Sequence, residues 1–208
     1  MRFEASKSDI AFTKVKLPFG WLGNMSPHPV FHLGKNWLTT EALFQALRFS
    51  AAREDLRLAI WREKSPMAAK MVAKRLRNEN ASDPSAFAHE PLGPGDLEAM
   101  RLMLRLKVAQ HPHLRRELLD TGDRRIIEDI GARKGPRHEF WGARRQAGEW
   151  IGRNHLGELW MELRSALAAD PALVEGYTRA AQSEKAVSGS TALSTGTSES
   201  MPGRQAAP

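Results

Sequence analysis

The chain has 208 residues, of which 41% are hydrophobic, so it can bury one sizeable core within one domain or at most two small ones. It contains no cysteine, which excludes disulfides, thiolate nucleophiles and cysteine-based zinc sites. The formal charge of +7 favours an anionic ligand, from a sugar phosphate to nucleic acid, although a positive surface also serves solubility alone.

The C-terminal segment differs in composition from the rest of the chain. From Ser183 onward it is rich in Ser, Thr, Gly and Ala and has no apolar period. Such a segment buries too little surface to offset its ordering entropy, so residues 183–208 are predicted to be a disordered tail after a domain spanning residues 1–182. We find neither an apolar run of about 18 residues nor a secretory signal, and therefore expect a cytoplasmic protein without membrane contact.

Short extended segments are predicted before residue 40. Ile10–Leu17 mixes apolar and polar residues, and Val30–Leu33 and Trp37–Thr39 flank a turn over residues 34–36. A helix is predicted to begin at Thr39-Thr40-Glu41, where a hydroxyl can cap free N–H groups and a carboxylate faces the positive helix end.

Further helices are predicted after Ser65-Pro66, Pro94, Pro112 and Asn154, with a strand at Ile126–Ile130. The first of these is expected to bury one face, with two methionines as core filler: Ala68, Val72 and Leu76, then Met67 and Met71. The last is expected to bury Leu156, Leu159, Trp160, Leu163 and Leu167. The pattern predicts a predominantly helical, compact single-domain α+β fold with a few short N-terminal strands.

Three acidic sites are candidates for chemistry: Glu41, Glu128-Asp129, and Glu139 beside Phe140-Trp141. Glycoside cleavage passes through an oxocarbenium-like state and needs carboxylates to stabilise positive charge and to position water. Glu41 is the most distinctive, because it lies between a hydroxyl pair and an apolar stripe. The alternative is that Glu41 only stabilises a helix N-terminus and that the others are surface acids.

Aromatic and glycine-rich segments are candidates for substrate binding. Trp61, Trp141 and Trp150 can stack on a base, although tryptophans are more often part of a core or its rim. Arg144-Arg145 lies among glycines, and such a loop can cradle phosphate; the glycines are Gly142, Gly148, Gly152 and Gly157.

An ordered set of motifs resembles the NADAR family, also called YbiA-like. The family's first motif resembles Leu22–Pro27, and its main signature, Thr-Ser-Glu followed by an aromatic residue and Phe-Gln, is similar to Thr39–Gln45, running on to Arg48-Phe49. Later matches are Thr121-Gly122-Asp123, Ile127-Glu128, Trp141-Gly142 and Gly152–Gly157. The match covers about residues 18–168 in the right order.

The resemblance implies a mostly helical α+β fold and hydrolysis of an N-glycosidic bond between ribose and a base or base-like amine, without metal or redox cofactor. Family members act on riboflavin-pathway intermediates, on ADP-ribose or NAD-related compounds, or on ADP-ribosylated guanine in nucleic acid. The partner expected from the resemblance is therefore a small anionic ribose phosphate, ADP-ribose, or an ADP-ribosylated nucleic acid. Glu41 is the implied catalytic residue; the predicted substrate-binding residues are Asn24, Gln45, Arg48, Trp141, Gly142, Arg144 and Asn154.

This chain departs from the family pattern at three places. His138 stands where the family usually has an aspartate three residues before the tryptophan, and we predict that Glu139 takes over that catalytic role. Gly23 replaces a serine, and Ser85–Ala99 lacks the family's tryptophan. Two alternatives follow: a non-catalytic reader of ADP-ribose or nucleic acid, and a toxin–antitoxin or phage-defence component that removes ADP-ribose from a macromolecule.

Overall fold

The computed structural model describes residues 1–179, 181 and 183. Its helices are α1 (Thr40–Leu47), α2 (Glu54–Trp61), α3 (Pro66–Glu79), α4 (Pro94–Gln110), α5 (Pro112–Leu119), α6 (Pro136–Trp141) and α7 (His155–Ala169). Its strands are β1 (Arg2–Glu4), β2 (Ile10–Phe12), β3 (Val30–His32), β4 (Lys35–Trp37), β5 (Ile126–Glu128), β6 (Ala143–Gln146) and β7 (Glu149–Gly152). The predicted α+β fold dominated by helix is confirmed. The predicted tail lies outside the described residues except for Ser183, and the domain boundary at residue 182 stays a prediction.

The strands form small separate sheets that connect distant parts of the chain. β1, β7 and β6 make an antiparallel sheet, and β3 and β4 make a hairpin. β2 pairs in parallel with β5, so that Phe12 lies opposite Glu128. Because the two strands run in the same direction, the residues that follow β2 lie beside the end of β5.

The β3–β4 hairpin was predicted, but its turn lies earlier than expected. Leu33 and Gly34 are the two turn residues, with φ of 54° and 68°, and Lys35 already pairs with His32. Two-residue hairpin loops favour positive φ at both positions, because that backbone twist matches the twist of the flanking strands. Sequence reasoning placed the turn at residues 34–36 and was wrong by about one residue.

Two of the predicted helix starts, those of α1 and α3, are confirmed together with their caps. The Thr39 side chain accepts a hydrogen bond from the Ala42 backbone N–H at 3.3 Å, and Ser65 accepts one from Ala68 at 3.1 Å. Five elements were not predicted: α2, α6, β1, β6 and β7.

The inward face of α3 differs from the expected one. Ala69, Ala73 and Leu76 are buried, whereas Met67 and Met71 are 59% and 64% exposed. The methionines are therefore not core filler. Small alanines let α3 pack closely against α1, which leaves the longer methionines outside.

The core lies between α1, α4 and α7. The five apolar residues predicted to be buried on α7 are all at most 5% exposed, and Trp160 donates its indole N–H to the Leu22 carbonyl at 3.0 Å. Among the described residues, the helices are all too short or too polar to cross a bilayer.

Candidate active site

A cavity of about 360 Å³ opens between the start of α1, the end of β5, α6 and the loops after β2 and after Leu22. Its apolar wall includes Phe12, Phe44, Met100 and Trp141. Its polar lining includes Lys14, Asn24, Glu41, Gln45, Arg48, Lys70, Glu128, Arg133, Arg137 and His138. The cavity therefore combines two glutamates with several cations and an aromatic wall.

Glu41 enters the cavity from the first turn of α1. It is 8% exposed, and its Oε1 accepts a hydrogen bond from Gln45 Nε2 at 3.0 Å and faces Lys70 Nζ at 3.6 Å. Its backbone N–H donates to the Asn24 carbonyl at 3.0 Å, which joins α1 to the first motif. The carboxylate is thus held in one orientation by donors on two helices, at the positive end of its own helix.

Glu128 is the second carboxylate in the cavity, at the end of β5. Loss of solvation raises its pKa to about 7; the nearby Arg133 and Lys70 oppose this rise and the charge of Glu41 adds to it. At neutral pH the residue can therefore either give or accept a proton. It was one of three acidic candidates in the sequence but was not selected, although its place at the end of a buried strand was a usable signal.

Asn154 holds the strand that carries Glu128. It caps α7 with φ of 55°; its Oδ1 accepts from the Glu128 backbone N–H at 3.0 Å, and its Nδ2 donates to the Ile126 carbonyl at 2.9 Å. It is 3% exposed and does not line the cavity. Its predicted substrate contact stays a prediction, but the geometry favours a positioning role.

Gly142 also supports Glu128 and likewise lies outside the cavity lining. A Cβ at this position would lie 2.4 Å from the Glu128 carbonyl oxygen and 2.6 Å from a methyl carbon of Ile130. Its φ of −133° is accessible to any residue, so glycine is needed here for space and not for backbone conformation.

We expect Gly142→Ala to lower the free energy of unfolding by about 1–3 kcal/mol, because backbone must move to admit the methyl group. Turnover should fall as well, since Glu128 is displaced. Gly176→Ala is the matched control, because nothing lies within 4 Å of its added Cβ. Chemical denaturation of both variants measures the difference. Equal stability of the two would show that β5 accommodates the added methyl group at no cost in free energy.

Trp141 and Arg48, two of the predicted substrate-binding residues, line the cavity, and their contacts with substrate stay predictions. Trp141 packs edge-to-face against Phe44, with ring centres 5.5 Å apart, and forms a wall on which a base can stack. Arg48 is 3% exposed, lies 4.5 Å from the Phe44 ring centre and is paired with the buried Asp96. Its charge is therefore largely balanced inside the protein.

Arg137 is a cation that sequence reasoning missed. It lines the cavity and has no ion pair within 4.0 Å among residues 1–179. Burial, and then the charge of Arg48, lowers its pKa. Arg133 and Lys14 lie on the same lining, so the cavity holds positive charge beyond that which balances Glu41.

Glu139 and Arg144 lie apart from the cavity. Arg144 donates to Glu139 Oε1 at 2.8 Å, and neither residue is part of the lining. His138 and Trp141, one helical turn apart on α6, face the cavity instead. The catalytic role predicted for Glu139 stays untested, but helical geometry points its side chain toward β6.

Asn24 reaches the cavity on a loop fixed by the buried Lys107. Lys107 Nζ donates to the Gly23 carbonyl at 3.1 Å, to Ser26 Oγ at 2.8 Å and to the Trp21 carbonyl. Burial lowers the pKa of Lys107 to about 7. Asn24 itself accepts from Thr40 Oγ1 at 3.2 Å, so the loop and α1 are locked together beside Glu41.

The fold and cavity define a small helical α+β protein with paired carboxylates in a cationic, aromatic-walled cavity. The chain matches the NADAR domain family over residues 11–168. N-glycosidase YbiA of Escherichia coli is 34% identical over 161 residues, covering 77% of this chain and 89% of the relative. N-glycosidase Npun_R5314 of Nostoc punctiforme is 26% identical over 166 residues, covering 76% and 92%.

The structural comparison agrees with the sequence match. The NMR structure of Escherichia coli YbiA superimposes with a TM-score of 0.61 and 28% identity, covering 82% of this chain and 92% of that one. The chain belongs to the NADAR family, and its curated relatives identify it as an N-glycosidase.

Proposed function

We propose that the protein hydrolyses the C–N bond between ribose and a base or base-like amine in a phosphorylated N-riboside. One observation carries the proposal: Glu41 and Glu128 line a single cavity together with cations and an aromatic wall. Riboflavin-pathway intermediates and ADP-ribose or NAD-derived compounds fit this chemistry, because both join an anionic ribose to a nitrogen.

Each carboxylate has a distinct role in the proposed reaction. The bond from ribose C1′ to the nitrogen breaks, and its electron pair leaves with the base. Glu41 stabilises the positive charge that develops on the sugar, and protonated Glu128 gives its proton to the departing nitrogen. Water then adds to C1′, and its proton returns to Glu128, which restores the starting state.

The remaining lining residues orient the substrate. Arg137, Arg133 and Lys14 supply positive charge for the ribose phosphate, and arginine can bind phosphate through two parallel hydrogen bonds. Trp141 lies where a planar base can stack. His138 replaces the family's aspartate on this wall, so its contacts bear on which base is accepted.

Incubation with phosphorylated N-ribosides, ADP-ribose, NAD and ADP-ribosylated DNA, followed by mass spectrometry, tests the proposal. We expect release of a free base or amine and of the corresponding ribose phosphate from at least one compound. Binding without product from any of them would instead support a non-catalytic reader. Cleavage only of the nucleic-acid substrate would favour the macromolecular ADP-ribose hydrolase.

A further inference from the structure

A second cavity, of about 480 Å³, shares Arg48 with the candidate active site. Its lining includes Arg77 on α3 and an apolar wall made by Phe87, Pro84 and Pro91. The mechanism proposed above uses neither Arg77 nor this wall. The cavity therefore lies beside the candidate active site, and the proposed reaction gives it no role.

Arg77 brings a positive charge to this cavity without an internal counter-ion. Its Nη1 donates to Gln45 Oε1 at 2.6 Å, and among residues 1–179 no carboxylate lies within 4.0 Å of it. Burial, and then the charges of Arg137 and Arg48, lowers its pKa to about 10. The more distant charges of Glu41 and Asp96 oppose this lowering only in part.

Arg48, which lines both cavities, adds an unused donor. Its Nε and Nη2 both bind Asp96, whereas its Nη1 is the one buried side-chain nitrogen or oxygen in the described part of the chain without a hydrogen-bond partner. Buried donors are normally satisfied, and leaving one without an acceptor costs free energy. An anionic ligand with several acceptor oxygens would remove that cost once a small side-chain shift exposes this nitrogen to the cavity.

We infer that the second cavity is a phosphate-ester subsite, in which Arg77 and Nη1 of Arg48 bind the phosphate and Phe87, Pro84 and Pro91 pack against its organic part. Two guanidinium groups suit a phosphate, whose oxygens accept paired hydrogen bonds. The exposed Glu90 is the acidic residue of this lining. The inference rests on the proposed function in one respect: it takes this phosphate to be a second phosphate group of the same N-riboside substrate.

The position of Arg77 links this subsite to the catalytic carboxylate. Arginine only donates hydrogen bonds, so the oxygen of Gln45 faces Arg77 and the amide nitrogen of Gln45 faces Glu41. A test must therefore include a variant that blocks the cavity without breaking this chain of contacts. Ala81, an exposed residue of the lining after α3, provides one.

Isothermal titration of the full chain with inorganic phosphate and with adenosine monophosphate tests the subsite. We expect Arg77→Gln and Ala81→Glu each to weaken binding of the monophosphate by at least about tenfold. Arg75→Gln, on the same helix but paired with Glu79 at 3.1 Å, and Ala52→Glu, outside the cavity, should change it by less than about twofold. Wild-type protein that binds neither probe at millimolar concentration, or cavity variants that bind as wild type does, would overturn the inference.

Kinetics then identify the source of the phosphate. If it belongs to the substrate, Ala81→Glu raises KM for a riboside carrying two phosphates and leaves KM for a singly phosphorylated one unchanged. If it belongs to a separate ester, adenosine monophosphate alters turnover without competing with substrate, and Ala81→Glu removes that effect. Binding of the monophosphate at this subsite without cleavage of any N-riboside would support the subsite and contradict the proposed function.

Discussion

Glu41→Gln is expected to leave the protein folded and to lower kcat by about 10²–10⁴-fold. The amide keeps the shape of the side chain, but it cannot place negative charge opposite the positive charge that develops on the ribose. Binding of substrate should survive, because the cations and Trp141 that we propose to contact it are unchanged. Single-turnover kinetics together with a binding titration measure the two quantities separately.

Glu54→Gln is the matched control for this substitution. Glu54 also lies in the first turn of a helix, α2, but it pairs with Lys35 at 3.3 Å, outside the candidate active site. If Glu41 only stabilises its helix, both variants should lose a similar small amount of stability and neither should lose turnover. Wild-type turnover in a folded Glu41→Gln protein would refute the catalytic assignment.

Glu128→Gln is expected to remove the alkaline limb of the activity profile. With a pKa of about 7, Glu128 is protonated below that pH, so wild-type kcat should fall as pH rises through about 7. The variant has no proton to give, and its kcat should be low, by about 10²-fold, and flat across this range. Glu139→Gln, which removes a carboxylate paired with Arg144 outside the cavity, serves as control and tests the role predicted for Glu139.

Glu128→Gln should also stabilise the fold at alkaline pH. The pKa of Glu128 is about 7 in the folded protein against 4.5 for the free side chain, so the folded state binds more protons between these values. The wild-type protein therefore loses stability as pH rises from 4.5 to 7, and the cost persists above 7. Glu128→Gln avoids this cost. Its free energy of unfolding, measured by chemical denaturation, should exceed that of the wild type by about 1–3 kcal/mol at pH 8 and by little at pH 4.5. If the variant and the wild type were equally stable at both pH values, Glu128 would have to be solvated in the folded protein.

Local signals were enough to predict α1 and the position of Glu41. Thr39 caps the helix through a hydrogen bond to a residue three positions along, and that geometry depends on neighbouring residues only. The same holds for Ser65 at the start of α3. In both cases the energy that fixes the structure comes from within one helical turn, so it can be read from the sequence.

Tertiary contacts decided the parts of the site that sequence reasoning did not select or did not find. Glu128 enters the cavity because β5 pairs with β2, and Arg137 does so because α6 packs against β6, β7 and α7. No short stretch of sequence encodes either contact. α6 has six residues, too few for an apolar period to be recognised. When the helix is not recognised, His138 and Glu139 are equally plausible as residues that face the cavity, because the helix face on which each lies is unknown.

The parallel pairing of β2 with β5 also has a consequence for biosynthesis. Glu41 is made early, but Glu128 is placed only when β5 has docked on β2 and Asn154 has bonded to its backbone. The ribosome must therefore release most of the domain before the two carboxylates meet, and contacts between such distant segments form slowly. A nascent or truncated chain that ends before Asn154 contains both carboxylates but lacks the side chain that fixes the backbone of Glu128. We expect such a chain to lack N-glycosidase activity.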